Sequence, residues 1–260
     1  MRIAVALVLL GLLAPGPAHA QRPEGEPPAT FTSDRPGFAN TPGVAARGRL
    51  TTELGLALVL AEQETELFLP TLSLRTGLFE FLEARVLALG GRARFPSDGG
   101  DRWGVGDVIV GFKIGGPLDD VVALSSVWSV RLPTGSDGFR ALGTELRADL
   151  NVAWAFWGPL SLTPNAVVEV LVEDDAGGAR RRVVALLGSL KLSWQLLPVL
   201  GLFVQSFARY EEAADDVRVQ VGGGIFWMAA PNWQLDAEFN SRVTDQGSLA
   251  ILSLGTTVLW

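Results

Sequence analysis

The sequence predicts an all-β protein, a closed antiparallel transmembrane barrel of about 12 strands. Three observations point there. From residue 49 onward the chain breaks into short runs in which apolar residues alternate with polar or small ones. The chain is 48% hydrophobic with a mean hydropathy of +0.29, yet beyond residue 20 no apolar run reaches the roughly 20 residues that a transmembrane helix needs. The chain also finishes on Ala250, Leu252, Leu254, Thr256, Val258 and Trp260, the register of a lipid-facing final strand with an aromatic terminus. A globular protein more often ends in a loose polar tail.

Residues 1–20 have the three parts of a secretory signal. Arg2 supplies the charge, Ile3 to Leu13 the short apolar stretch, and Ala18-His19-Ala20 a small-x-small cleavage site. Export through a cleaved signal and a mature start near Gln21 are therefore expected. Residues 21–48 are rich in Pro and Gly and lack periodicity, so neither strand nor helix is expected. They are either a flexible periplasmic leader or a segment folded back into the barrel mouth.

The barrel itself is assigned to residues 49–260. Leu54, Leu56, Leu58 and Leu60 alternate with Glu53, Gly55, Ala57 and Val59. The same period recurs around Val108–Ile114, Leu146–Trp154, Val184–Leu192 and Trp233–Phe239. The strands are expected near 49–60, 67–77, 79–94, 104–116, 121–133, 142–157, 160–173, 181–196, 199–211, 216–229, 232–243 and 248–260, with the second and third blurred by Pro70. Longer polar connections at 61–66, 96–102, 133–140, 173–180, 211–216 and 244–247 alternate with tight ones near Gly77, 115–120, Gly158-Pro159, Leu197-Pro198 and Pro231-Asn232. With both termini in the periplasm, the long set lies outside the cell and the tight set inside. Trp157, Trp194, Trp227, Trp233 and Trp260 then form a girdle at the periplasmic membrane interface. The single tyrosine is a departure from the usual aromatic-rich barrel.

Absent residue types exclude chemistry. The chain has no cysteine, and its one histidine, His19, lies within the expected signal. Disulfides, thiolate sites and imidazole-activated nucleophiles are thereby removed from the mature protein. Ser–Lys or paired-carboxylate sites remain open in principle. Glu173, Asp174 and Asp175, and Glu211, Glu212, Asp215 and Asp216, read as solvated loop charge, with weak calcium binding the sharper alternative. We expect no enzyme, no cofactor and no metal. Loss of Arg2 leaves 20 basic against 28 acidic residues, a balance that argues against nucleic acid as a partner.

Several segments carry a family resemblance. They are Phe31-Thr32-Ser33-Asp34-Arg35-Pro36-Gly37-Phe38, then Gly48-Arg49-Leu50 with Glu53-Leu54-Gly55, Gly104-Val105-Gly106-Asp107 with Gly111-Phe112-Lys113, Leu132-Pro133-Thr134-Gly135-Ser136, and Gln234-Leu235-Asp236. Their order and spacing resemble a family of outer-membrane transporters named for a gene linked to the meta-pathway of phenol degradation. The resemblance implies a barrel with a transport role and suggests a hydrophobic or aromatic solute. It carries no catalytic residues onto this chain.

The lumen-facing register collects Glu53, Glu83, Arg85, Asp107, Lys113, Arg131, Glu145, Arg147, Asp149, Glu169, Lys191, Arg209, Arg218, Asp236, Glu238 and Arg242, joined by Asn165, Gln205 and Gln220. Charges of both signs are tolerable there if the interior is wet or if they pair. Two readings compete: opposed charges lining a narrow aqueous path, or a packed ion-pair network filling the barrel. Asp34 and Arg35 bear on the choice, since a segment carrying them into the lumen could pair with these charges and plug the path. The expected function is passive diffusion of a small solute across the outer membrane of a Gram-negative bacterium. A non-conducting structural or adhesive barrel is the alternative, and a secreted soluble β-sandwich the third reading. The expected partners are the lipid bilayer, the solute, and the barrel assembly machinery, which would engage the strand ending at Trp260.

Overall fold

The computed structural model describes residues 31–175, 177–212, 215–244 and 249–260. The expected signal, residues 1–20, lies outside them. Every regular element among the described residues is a β-strand: β1 (Leu50–Ala61), β2 (Glu64–Phe79), β3 (Leu82–Ala88), β4 (Gly91–Pro96), β5 (Arg102–Val105), β6 (Val108–Pro117), β7 (Val122–Leu132), β8 (Glu145–Trp157), β9 (Leu160–Asp174), β10 (Arg180–Leu197), β11 (Leu200–Glu211), β12 (Asp216–Ala230), β13 (Trp233–Arg242) and β14 (Leu249–Leu259). All pairings between them are antiparallel. β1 pairs with β2 on one side and with β14 on the other, from Thr51↔Leu259 to Ala61↔Leu249, so the sheet closes. Closure removes the sheet edges except along β5, which pairs with β4 alone, and a closed sheet is the kind that can span lipid.

Fourteen segments make 12 strands. β3 and β4 are halves of one strand broken at Leu89-Gly90, and β5 and β6 are halves of the next, broken at Gly106-Asp107. Hydrogen bonds still cross the break: Leu89 N donates to Asp107 O at 3.0 Å and Gly106 N to Gly90 O at 2.8 Å. The cause lies in β2, which pairs with β4 through Glu64–Phe68 and with β3 through Leu72–Phe79. Pro70 sits in the gap and has no N–H for a ladder. Gly90 opposite has φ +52°, and a Cβ there would strike the Pro70 carbonyl. The expected third strand at 79–94 is therefore bent in two. The connection expected at 61–66 shrinks to Glu62-Gln63, because Thr65 and Glu66 extend the ladder opposite Leu60 and Val59.

Alternation sorts the side chains. Leu252 and Leu254 on β14 are 46% and 51% exposed on the outer surface, whereas Arg75, Glu83, Asp107, Lys113 and Asn151 are fully buried on the inner one. Polar groups inside and leucines outside is the pattern expected when the outer solvent is hydrocarbon. The tight connections, at 80–81, 118–121, 158–159, 198–199 and 231–232, all lie at the end of the barrel that carries β1's start and β14's finish. Trp157, Trp194, Trp227, Trp233 and Trp260 gather at this turn end. Trp233 Nε1 donates to Thr256 Oγ1 at 2.7 Å and Trp260 Nε1 to Thr52 Oγ1 at 3.0 Å, so these two indoles are tied to the wall. At the opposite, loop end, residues 133–141 cover the free edge of β5. Ser136 N donates to Val105 O at 2.9 Å, and Gly135 N donates to Asp107 Oδ1 at 2.8 Å.

Candidate functional site: the barrel interior

Residues 31–48 run through the inside of the barrel. They touch inward-facing residues on β1, β2, β3, β6, β8, β10, β11, β13 and β14, strands from around the whole circumference. Proline and glycine keep this inner segment from forming strand or helix, so its backbone polar groups must find partners on the wall. Asp34 N donates to Glu53 Oε1 at 2.8 Å and Ala45 N to Glu83 Oε2 at 2.7 Å. Phe38 N donates to Gln205 Oε1 at 3.0 Å, and Gly48 N to Gly77 O at 2.9 Å.

Two charged anchors hold the segment. The first is a knot of three acids and three bases. Arg75, fully buried, gives Nε and Nη2 to the Glu83 carboxylate at 2.8 and 2.9 Å and Nη1 to Glu53 Oε1 at 2.8 Å. Asp34 receives Lys113 Nζ at 2.7 Å and Arg85 Nη2 at 3.0 Å, with Arg75 Nε 3.5 Å away. Lys113 Nζ also donates to the Thr41 and Gly43 carbonyls, at 3.0 and 3.1 Å. Burial by itself raises the Asp34 pKa. The surrounding Arg75, Lys113 and Arg85 outweigh it and hold the carboxyl well below the usual carboxylate range. The second anchor is Arg35, whose Nη2 donates to Asp236 Oδ1 at 3.0 Å. Its guanidinium lies flat across Gly55 and Gly255, which face each other in register, with Asp236 opposite Gly255 on the next strand. A Cβ at either glycine would collide with it.

The remaining sequence-derived residues fall into smaller groups. Arg147 binds Asp149 at 2.7 Å and Glu169 at 2.8 Å, and Asp149 also accepts Asn40 Nδ2 at 2.7 Å. Arg209 reaches Glu169 at 2.7 Å, while Arg131 joins Asp107 at 2.7 Å to Glu145 at 3.2 Å. Arg218 pairs with Asp216 at 3.3 Å, away from the inner segment; Glu238 accepts from Asn240, and Arg242 lies opposite Gln220. Lys191 Nζ donates to Pro36 O at 3.2 Å.

A small cavity of about 220 Å³ adjoins the inner segment at Asp34, Arg35 and Asn40, and two more lie toward the barrel ends. One of about 540 Å³ opens at the loop end among Arg92, Arg94, Arg131, Arg147, Glu169 and Arg209. The other, of about 400 Å³, lies at the turn end beneath Phe31, Pro36 and Pro42 of the inner segment. Between them Asn40 is bonded to Asp149 on β8 and Phe38 to Gln205 on β11.

Residues 33–257 match the family described as "Putative MetA-pathway of phenol degradation". This chain belongs to that family. The matched region of this MetA-pathway family member begins at Ser33, so it takes in the inner segment with Asp34 and Arg35 as well as the wall. No curated protein sequence matches the chain. Among solved structures it is similar to the NanC porin (TM-score 0.58, 11% identity, 80% of this chain and 98% of that one). It is similar too to the translocator domain of the autotransporter NalP from Neisseria meningitidis (0.55, 15%, 81% and 87%) and to the β domain of the Bordetella autotransporter BrkA (0.51, 15%, 81% and 98%). At such identities the likeness establishes the shared barrel fold.

Several interior residues of this family member escaped the sequence reading. Arg75 carries the same period as Ser73 on β2, but the blurred second strand hid it. Val167, Ala185 and Leu187, with Leu171 and Phe207, form an apolar patch inside the wall, and Phe38 packs on Phe207 at 4.7 Å between ring centroids. A rule that sends apolar residues to the lipid cannot find them.

Proposed function

We propose that the protein is an outer-membrane channel through which a small solute diffuses passively, and that residues 21–48 plug it through the stretch from Phe31 to Gly48. One observation carries this reading: the inner segment crosses the lumen between two cavities and is held there by side chains from nine strands. Cavities of about 540 and 400 Å³ toward the two ends fit the vestibules of a channel blocked at mid-lumen. The lumen-facing charges then have two jobs. Those around Asp34 and Asp236 hold the plug, and those around Arg147 and Arg209 line the outer vestibule. With the tight turns in the periplasm, the 540 Å³ cavity faces the outside. Transport needs only a gradient, since the chain carries no nucleotide-binding motif. The porins and translocator domains that share this fold support a non-enzymatic role, as does a mature sequence without histidine or cysteine. Family membership makes a hydrophobic or aromatic solute the first to test.

Liposome swelling checks the channel directly. Vesicles carrying the mature chain should swell in a small sugar faster than protein-free vesicles, and in proportion to protein added. Equal rates would favour the non-conducting structural barrel.

A further inference from the structure

Residues 133–144 connect β7 to β8 at the loop end, and part of this connection turns into the barrel mouth. β5 pairs with β4 alone, so its other edge needs cover. Thr134 and Ser136 supply it: Thr134 Oγ1 accepts Val108 N and Ser136 Oγ accepts Val105 N, both at 3.0 Å. The fully buried Asp107 holds the stretch at two points, accepting Gly135 N on Oδ1 and Ala141 N on Oδ2, each at 2.8 Å. Arg131 Nε donates to the same Oδ2 at 2.7 Å and ties this anchor to β7.

Covering an edge does not require Phe139, which lies between the two points held by Asp107. Trp103 and Val105 of β5 are 61% and 53% exposed on the outer surface, so Gly104 between them faces inward. Phe139 is buried against that inner face, and a Cβ at Gly104 would come within 2.4 Å of its ring. The Arg94 and Arg92 guanidinium carbons lie 5.0 and 5.8 Å from the ring centroid. Arg94 Nη1 also donates to Gly138 O at 3.1 Å. Gly138, Phe139 and Ala141 line the 540 Å³ cavity, as does Ser129 on β7. A ring seated on a glycine and flanked by two guanidinium groups takes up cross-section at the entrance to that cavity.

We propose that residues 133–141 form a fixed narrowing of the outer mouth, separate from the plug, and that Phe139 sets the size of solute admitted to the vestibule. This rests on the channel reading, in which that vestibule is the outer entrance. Gly104 then serves the ring as Gly55 and Gly255 serve Arg35, by leaving a strand face bare for a side chain from elsewhere in the chain. Asp107, Thr134 and Ser136 are positioning residues that hold the stretch in place.

The chain has no cysteine, so one introduced thiol reports on the mouth alone. Ser129→Cys places it in the vestibule, and Asp98→Cys, at an exposed position between β4 and β5, gives the unhindered rate for each reagent. The probes are N-ethylmaleimide and poly(ethylene glycol)-maleimide, added to the refolded mature chain in micelles. Relative to Asp98→Cys, the small reagent should label Ser129→Cys and the large one should be slower by about tenfold or more. Adding Phe139→Ala should speed the large reagent by about tenfold and leave the small one unchanged. Equal relative rates for the two reagents in Ser129→Cys, or no labelling by either, would overturn the proposal even if the Phe139→Ala chain fails to fold. So would a folded Phe139→Ala chain that labels no faster. Size-graded labelling of a chain that is silent in bilayers would remove the channel and leave the narrowing, while conductance with ungraded labelling would do the reverse.

Discussion

Asp34 is the residue on which most of the interior converges. Lys113, Arg85 and Arg75 reach its carboxylate, and Thr41 donates to it through both N and Oγ1 at 3.0 Å. Its depressed pKa fixes the sign of a pH effect. A carboxyl whose folded pKa lies below its free value of about 3.9 gives an anchor that is intact above that value and lost as pH falls through the lower, folded one. The plug should therefore stay seated from pH 8 down to pH 4, and single-channel recordings should show a constant closed fraction across that range. Asp34→Asn removes the charge at every pH. Loss of a buried charged hydrogen bond, about 2 kcal/mol, should raise the open-to-closed ratio on the order of thirtyfold at pH 7. An opening transition of the unsubstituted channel near pH 6 would contradict the assignment. In the sequence Asp34 and Arg35 stood out as charges with no apolar face to serve. Their partners Lys113 and Asp236 lie 79 and 201 residues away, and a one-dimensional period contains no such distance.

Among the elements, the β1–β14–β13 staircase is built to receive Arg35. Gly55, Gly255 and Asp236 stand side by side on consecutive strands, a two-glycine slot ending in a carboxylate. Glycine in a strand interior weakens it and often marks a close approach of another group, and here that group is a guanidinium. Gly255→Val changes no charge and adds β-propensity, yet it fills the slot. The folded barrel should persist, read as a heat-dependent gel shift, while conductance rises as Arg35 is displaced. Unchanged conductance in a folded Gly255→Val barrel would mean that the slot does not hold the plug. Period-two patterning made the strands legible because one face meets lipid and the other a polar interior. It failed at β3–β6, where Pro70 and Gly90 break the ladder without breaking the alternation. It failed also at Phe203, Phe207 and Leu187, where the inner face is itself apolar.

For the molecule as a whole, a closed 12-strand wall leaves an interior wide enough to need filling, by side chains, by a segment of chain or by water. This chain uses the first two, paired charges across the wall and residues 31–48 through the middle, and leaves cavities toward the two ends. The wall was readable in the sequence as twelve alternating runs with long and tight connections in turn. The path of the inner segment was not, because a stretch without periodicity specifies no partner until the barrel has formed around it. The most direct test is the single-channel conductance of the refolded protein in a planar bilayer, measured for the mature chain and for one lacking residues 21–48, both with the heat-dependent gel shift of a folded barrel. Long closures in the mature chain and a larger, continuously open conductance in the shortened one are the predicted result. Identical conductance in the two, or silence in both, would contradict a plugged channel.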